Sequence, residues 1–207
     1  MYAAIVLGAA FAPPIVLGLL ALLAGTIALF EASALRRAGA VAIVEAVAVV
    51  LGLAALVYLR ILGDRGAAHA AAAGLPVWLV LAIGATWAAD VGAYLVGSSL
   101  GRRRILPRIS PGKTWEGTFG GFAAASLAVL GIAALFGLGR PEAAVAAVAI
   151  GPVAFAGDLL ESYLKRRAGV KDSGTLLPGH GGVLDRIDSL VAVAPLVAGL
   201  TLAAGLG

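Results

Sequence analysis

Long apolar runs, each close to the length needed to cross a lipid bilayer, recur along this chain, and that recurrence limits what it can fold into. They cover Tyr2 to Phe30, Val41 to Leu59, Leu75 to Leu100, Phe119 to Leu138, Ala143 to Ala156 and Leu190 to Leu206. A hydrocarbon core about 30 Å thick needs roughly 20 apolar residues in a helix. Only 13% of the residues are charged, against about a quarter in a soluble domain, so lipid is the solvent. Backbone in lipid must satisfy its own hydrogen bonds. The fold class expected is therefore all-α, a polytopic integral membrane helix bundle. The first run contains Pro13-Pro14 and is longer than one span needs, which predicts a kinked helix or two short ones. The fifth reaches span length only when extended through Leu159. The count is six or seven.

The charges supply the orientation. Arg36 and Arg37, then Arg102, Arg103, Arg104, Arg108 and Lys113, then Lys165, Arg166, Arg167, Lys171 and Arg186 occupy three alternate loops, which hold 12 of the 15 Lys and Arg. Six spans put those loops on one side, and the positive-inside tendency makes that side cytoplasmic. Arg60, Arg65 and Arg140 fall opposite. No basic residues precede the first apolar run, so a cleavable signal peptide is not expected. With no cysteine there is neither a disulfide framework nor a thiolate metal site. The net charge of +4 sits in short loops between spans, which favours anionic lipid and phosphates over nucleic acid as partners.

Against this background the stretch "KDSGTLLPGHGGVLDRID", residues 171 to 188, is anomalously polar. Between Asp158 and Asp188 lie five acids and five bases. If "GDLLESYLKRR" ends the fifth span as a helix, Asp158, Glu161, Ser162 and Lys165 share one face, at i, i+3, i+4 and i+7. Asp185 and Asp188 are likewise three apart at the start of the last span. Two carboxylate pairs can thus converge at the membrane surface. Carboxylates beside Lys and Arg suit a metal-bound nucleotide, because magnesium takes one or two carboxylates plus phosphate oxygens while the basic groups hold the rest of the polyanion. The same charges can equally just pair with one another. Gly169, Gly174, Gly179, Gly181 and Gly182 crowd the loop, and glycine lets backbone N–H groups approach an anion. His180 can bond either the loop or a substrate.

A second constellation lies in "ATWAADVGAYLVGSSLGRRRILPRISPGKTWEG". Asp90 interrupts an apolar span, and an intramembrane acid is a functional-site hypothesis by default, the alternative being a structural bond to a neighbouring helix. Ser110 to Glu116 reads as a tight turn presenting Lys113, and it is too short for a Walker A loop. Arg102 to Arg104 can be topology determinants alone. Gly117 and Gly121 form a GxxxG pair that carries little weight in so alanine-rich a chain. Glu31 and Glu45 show no partner beyond an interhelical hydrogen bond, and His69 reads as an exposed loop residue.

These residues carry a resemblance. "SYLKRRAGVKDSGTLLPGHGGVLDRID", Ser162 to Asp188, resembles the signature of the phosphatidate cytidylyltransferases (CDP-diacylglycerol synthases), and "DVGAY" and "SPGKTWEG" are similar to that family's upstream motifs. The likeness covers about half the chain, from roughly Trp87 to Ser189. It implies a membrane enzyme that condenses CTP with phosphatidic acid and releases pyrophosphate. By motif position it implies Asp158 and Asp185 as magnesium ligands, with Asp188 supporting them and available to a second cation. It places Asp158, Lys165, Asp185 and Asp188 in catalysis. Around the substrates it places Asp90, Ser110, Lys113, Ser162, Arg166, Lys171, Asp172, His180, Gly181, Gly182 and Arg186. A homodimer is an expectation of the family.

The expectation is then one membrane-embedded unit over residues 1–207, with N-terminal spans in 1–74 and catalytic spans and loops in 75–207. It would lie in the cell membrane with its catalytic loops facing the cytoplasm. Two departures stand out. Ser98 takes a place where the family often has a basic residue, and the first 60 residues resemble the family only in being hydrophobic. The competing expectations are a cytidylyltransferase for an isoprenoid ether phosphate and a cation-coupled transporter using Asp90, Asp158 and Asp185, since buried carboxylates also mark ion paths.

Overall fold

The computed structural model describes residues 8, 10–34, 39–68, 75–174 and 181–207. In chain order the elements are α1 (Pro14–Ala34), α2 (Ala40–Leu62), α3 (Val77–Leu100), β1 (Arg104–Leu106), β2 (Ser110–Thr114), α4 (Trp115–Phe136), α5 (Arg140–Ala168) and α6 (Leu184–Ala203). Each of the six helices is long and apolar enough to cross a membrane, so the chain is a helical integral membrane protein. Large apolar side chains such as Leu22, Phe30, Leu127 and Val148 face outward, as they must where the surroundings are hydrocarbon.

The first apolar run breaks where its prolines stand. Phe11 is still helical, Ala12 and Pro13 are not, and Pro14 opens α1, in the first turn where a missing N–H costs nothing. Arg60 of α2 donates to the Ala12 carbonyl at 3.0 Å and pins the break. Two helix ends differ from the apolar runs. α5 extends to Ala168 because Leu164 and Ala168 continue its buried stripe between the charged residues. At 1.5 Å per residue its 29 residues reach roughly 43 Å, longer than the hydrocarbon core is thick. It ends at Gly169 in the left-handed conformation, with Lys165, Arg166 and Arg167 in its last turn, where the helix dipole favours cations. α6 begins at Leu184 rather than Leu190, so both of its acids lie inside the helix.

The all-α helix bundle forms as expected, and to it is added one small antiparallel hairpin of β1 and β2 in which Arg104 opposes Thr114 and Leu106 opposes Ser110. The predicted tight turn at Ser110 is instead the start of β2. Strands of three and five residues containing Pro111 and Gly112 are too short to show alternation. Thr114 then caps α4 by accepting the Gly117 N–H at 3.1 Å.

The GxxxG pair also matters more than chance patterning suggests. A Cβ on Gly117 would stand 2.8 Å from the Ala93 carbonyl oxygen, and one on Gly121 would stand 2.7 Å from that of Ala89. α3 and α4 therefore pack backbone to backbone where residues 89–97 cross residues 117–121. The main core runs beneath them through Trp78, Leu81, Val129, Ile150 and Val193. A second cluster joins Ala28 and Ala32 of α1 to Leu164, Leu184 and Val191, so the first helix packs directly under the start of α6.

Candidate active site

The middle of α3, strand β2, the start of α4, the second half of α5 and the start of α6 meet toward one end of the bundle. Between them is a cavity of about 470 Å³. Six carboxylates line it, Asp90, Asp158, Glu161, Asp172, Asp185 and Asp188, against three basic side chains, Lys113, Lys165 and Arg186. The expected helical face on α5 forms as its spacing dictates. Asp158 and Asp188 are brought together because α5 meets α6 at Gly157, where a Cβ would lie 2.8 Å from the Asp188 carbonyl oxygen.

Two lysines organise the acids. Lys113 Nζ donates to Asp158 Oδ2 at 2.5 Å and lies 4.6 Å from the centre of the Phe155 ring. Ser162 donates to the other oxygen of Asp158 at 3.3 Å. Lys165 Nζ donates to Asp185 Oδ1 at 2.6 Å and stands 3.2 Å from Glu161 Oε2. Asp185 also accepts the backbone N–H of Gly182 at 2.7 Å and that of Ser173 at 3.0 Å, so the glycine loop is tied to a carboxylate. Glu161 is 1% exposed, and neither of its oxygens has a hydrogen bond of acceptable geometry despite the close ammonium. It lies within side-chain reach of Asp188. Among the described residues, no three His, Asp or Glu side chains form a ready-made metal-binding group.

Of the predicted site residues, Asp90, Lys113, Asp158, Lys165, Asp172, Asp185, Arg186 and Asp188 line the cavity. The others support it or stand aside. Arg166 donates to the Ile109 carbonyl at 3.1 Å, fastening α5 to the hairpin. Gly182 holds Asp185, and Gly181 turns the loop at φ +83°. Ser110 opens β2 and Lys171 is exposed on the loop, neither of them lining the cavity. His180, like His69, lies outside the described residues.

One contributor was missed. Glu31 of α1 is buried and accepts the backbone N–H groups of Val183 at 3.1 Å and Leu184 at 2.8 Å, plus the Ser173 hydroxyl at 3.3 Å. It caps α6 from 153 residues away in sequence. Local capping patterns cannot show this, and the only available signal was a carboxylate inside an apolar run. Glu45 of α2, also buried, lies close enough to Asp188 and Lys165 to feel their charge.

Known proteins supply the context for this geometry. The chain is 47% identical over 124 residues to the phosphatidate cytidylyltransferase of Pseudomonas aeruginosa, a match covering 58% of this chain and 46% of that protein. It is 50% identical over 122 residues to the phosphatidate cytidylyltransferase of Synechocystis, covering 57% and 41%. It is 51% identical over 108 residues to the uncharacterized protein YnbB of Escherichia coli, covering 52% and 36%. In each case the matched segment spans less than half the length of the relative. A family model described as the cytidylyltransferase family matches residues 1–203. That match runs through the helix carrying Glu31 as well as the helices carrying the acids, and by it the chain belongs to the cytidylyltransferase family.

Proposed function

We propose that this protein transfers a cytidylyl group from CTP to phosphatidic acid, giving CDP-diacylglycerol and pyrophosphate. The observation that carries the reading is the cavity itself: six carboxylates and three basic groups around one space, at the end of a lipid-embedded bundle. The relatives named for this reaction support it. A polyanionic substrate would be repelled by the excess of acids alone, so cations must accompany it. The donor set fits magnesium, because all the candidate ligands are oxygen, the buried oxygens of Glu161 have no hydrogen bond of their own, and the cavity that the carboxylates line has room for water and phosphate oxygens. Asp158, Asp185 and Asp188 would hold it. When bound, it would neutralise phosphoryl oxygens and make the α-phosphorus of CTP easier to attack.

The chain's own groups would do the positioning. Lys113 and Lys165, now paired with Asp158 and Asp185, would exchange onto substrate phosphates, with Arg186 beside them. A phosphate oxygen of phosphatidic acid forms the new bond to the α-phosphorus. The bond from that phosphorus to the bridging oxygen breaks, and its electron pair leaves with pyrophosphate. The attacking oxygen is already anionic, so no side-chain nucleophile is needed, and catalysis is mostly alignment and charge neutralisation. The lipid product stays in the bilayer, which accounts for a polar loop held against apolar helices.

The test is incorporation of label from CTP into lipid by purified protein supplied with phosphatidic acid, with and without magnesium. We expect magnesium-dependent product, reduced on the order of 100- to 1,000-fold in Asp185→Asn. No product from folded wild-type protein, where a known cytidylyltransferase works, would overturn the reading. Product from an isoprenoid ether phosphate alone would move it to another lipid acceptor.

A further inference from the structure

We propose that Arg102, Arg103 and Arg104, together with Trp115, form a binding site for an anionic phospholipid, separate from the carboxylate-lined cavity. With Glu116 they border a concavity of about 700 Å³ that shares no lining residue with the first. All three arginines are exposed, and none is in a salt bridge among the described residues. Their backbone is nevertheless fixed. Glu116 Oε2 accepts the N–H of Arg102 at 3.1 Å and of Arg103 at 3.3 Å. The Trp115 N–H donates to the Arg103 carbonyl at 2.9 Å, and Arg104 pairs with Thr114 in the hairpin. Glu116 thus spends its hydrogen bonds on the backbone, and the group keeps a net positive charge. Side-chain forks on a rigid frame suit a phosphate, which guanidinium binds in bidentate fashion.

The neighbouring aromatics choose the source of that phosphate. Trp115 is 49% exposed at the first residue of a span, and Phe119, 60% exposed, stacks one turn further along α4 with ring centroids 6.0 Å apart. A free phosphate has no use for such a strip. A phospholipid would place its headgroup among the arginines and an acyl chain along the rings, at the depth where tryptophan anchors helices to the interface. The site needs only that the chain lies in a membrane, so it stands or falls independently of the transfer reaction.

The experiment uses full-length protein in phosphatidylcholine vesicles and reads tryptophan quenching by brominated lipid, with Trp115→Phe identifying the share due to Trp115. We expect brominated phosphatidylglycerol to quench that share at about tenfold lower mole fraction than brominated phosphatidylcholine, since basic residues at the membrane surface attract anionic headgroups. Arg102→Gln/Arg104→Gln should abolish the preference, while Arg108→Gln/Arg167→Gln, which removes the same charge outside the concavity, should leave it. Equal quenching by both lipids overturns the proposal. So does equal loss in the two double variants, which would mean diffuse surface charge, and so does displacement of the lipid by inorganic phosphate, which would mean an anion site only. All four arginines are exposed, so the variants should fold, and thermal unfolding checks that they do.

Discussion

Glu31 and Lys165 each hold together pieces of chain that could not hold themselves. Glu31 satisfies two amide N–H groups at the start of α6, and hydrogen bonds to a charged group are worth about 1.5–3 kcal/mol each. Glu31→Gln would offer one acceptor oxygen and an amide that repels the same donors. We expect faster hydrogen exchange at Val183 and Leu184 and weaker CTP use, with the bundle still folded. Unchanged exchange at those two amides would show that the cap contributes nothing. Lys165 sits between Glu161 and Asp185 with its side chain 12% exposed. Lys165→Met leaves Asp185 and Glu161 without their shared ammonium, and breaking a buried pair this way costs about 3–5 kcal/mol. Adding Glu161→Gln should restore the part of the thermal stability that the crowded acids cost, but not the activity. Such a double-mutant cycle separates the lysine's folding role from its role at the phosphate; activity returning with stability would remove Lys165 from the chemistry.

At the scale of elements, the crossing of α5 and α6 decides whether the acids meet. Gly157→Ala would place a methyl 2.8 Å from both the Asp188 carbonyl oxygen and the Ala192 Cβ, and overpacking of this kind costs about 1–3 kcal/mol. Gly199→Ala, in open space on the partner helix α6, should be neutral or slightly stabilising, since alanine is the better helix former. Thermal unfolding of both variants checks the contrast, and an equal effect would mean that the close approach is not what sets the helix pair. The crossing also shows where legibility in the sequence ends. Hydropathy located all six helices, because crossing lipid imposes a length and a composition that one chain displays locally. The i, i+3, i+4, i+7 spacing of Asp158, Glu161, Ser162 and Lys165 gave their common face for the same reason. The apolar run alone begins six residues after the start of α6, because the polar first turns of that helix are capped from α1. The hairpin was missed because its strands are shorter than the period that would announce them. The α3–α4 contact looked like chance because GxxxG records small residues, not which helix lies against them.

The whole molecule has two unlike ends. Arg102 to Lys113, the basic end of α5 and the start of α6 gather at one. At the other, the Ala68 N–H donates to the Gly137 carbonyl at 3.3 Å, joining the α2–α3 connection to the turn between α4 and α5. By the positive-inside tendency the clustering of Lys and Arg predicts a cytoplasmic location for the first end, and the proposed reaction would need the same orientation because CTP is a cytoplasmic nucleotide. The two arguments are independent, one about insertion and one about substrate supply. The chain contains no cysteine, so a single introduced thiol reports its own side without background. Arg108→Cys and Ala68→Cys are both at exposed positions, at opposite ends. In intact spheroplasts a membrane-impermeant maleimide should label Ala68→Cys, and should reach Arg108→Cys only after lysis. The reverse pattern would put the carboxylate-lined cavity on the outer face, away from CTP, and the cytidylyl-transfer reading would fail with the orientation. Labelling of Arg108→Cys that is blocked by CTP after lysis would go further, tying the hairpin to the nucleotide through Lys113 in the strand that follows.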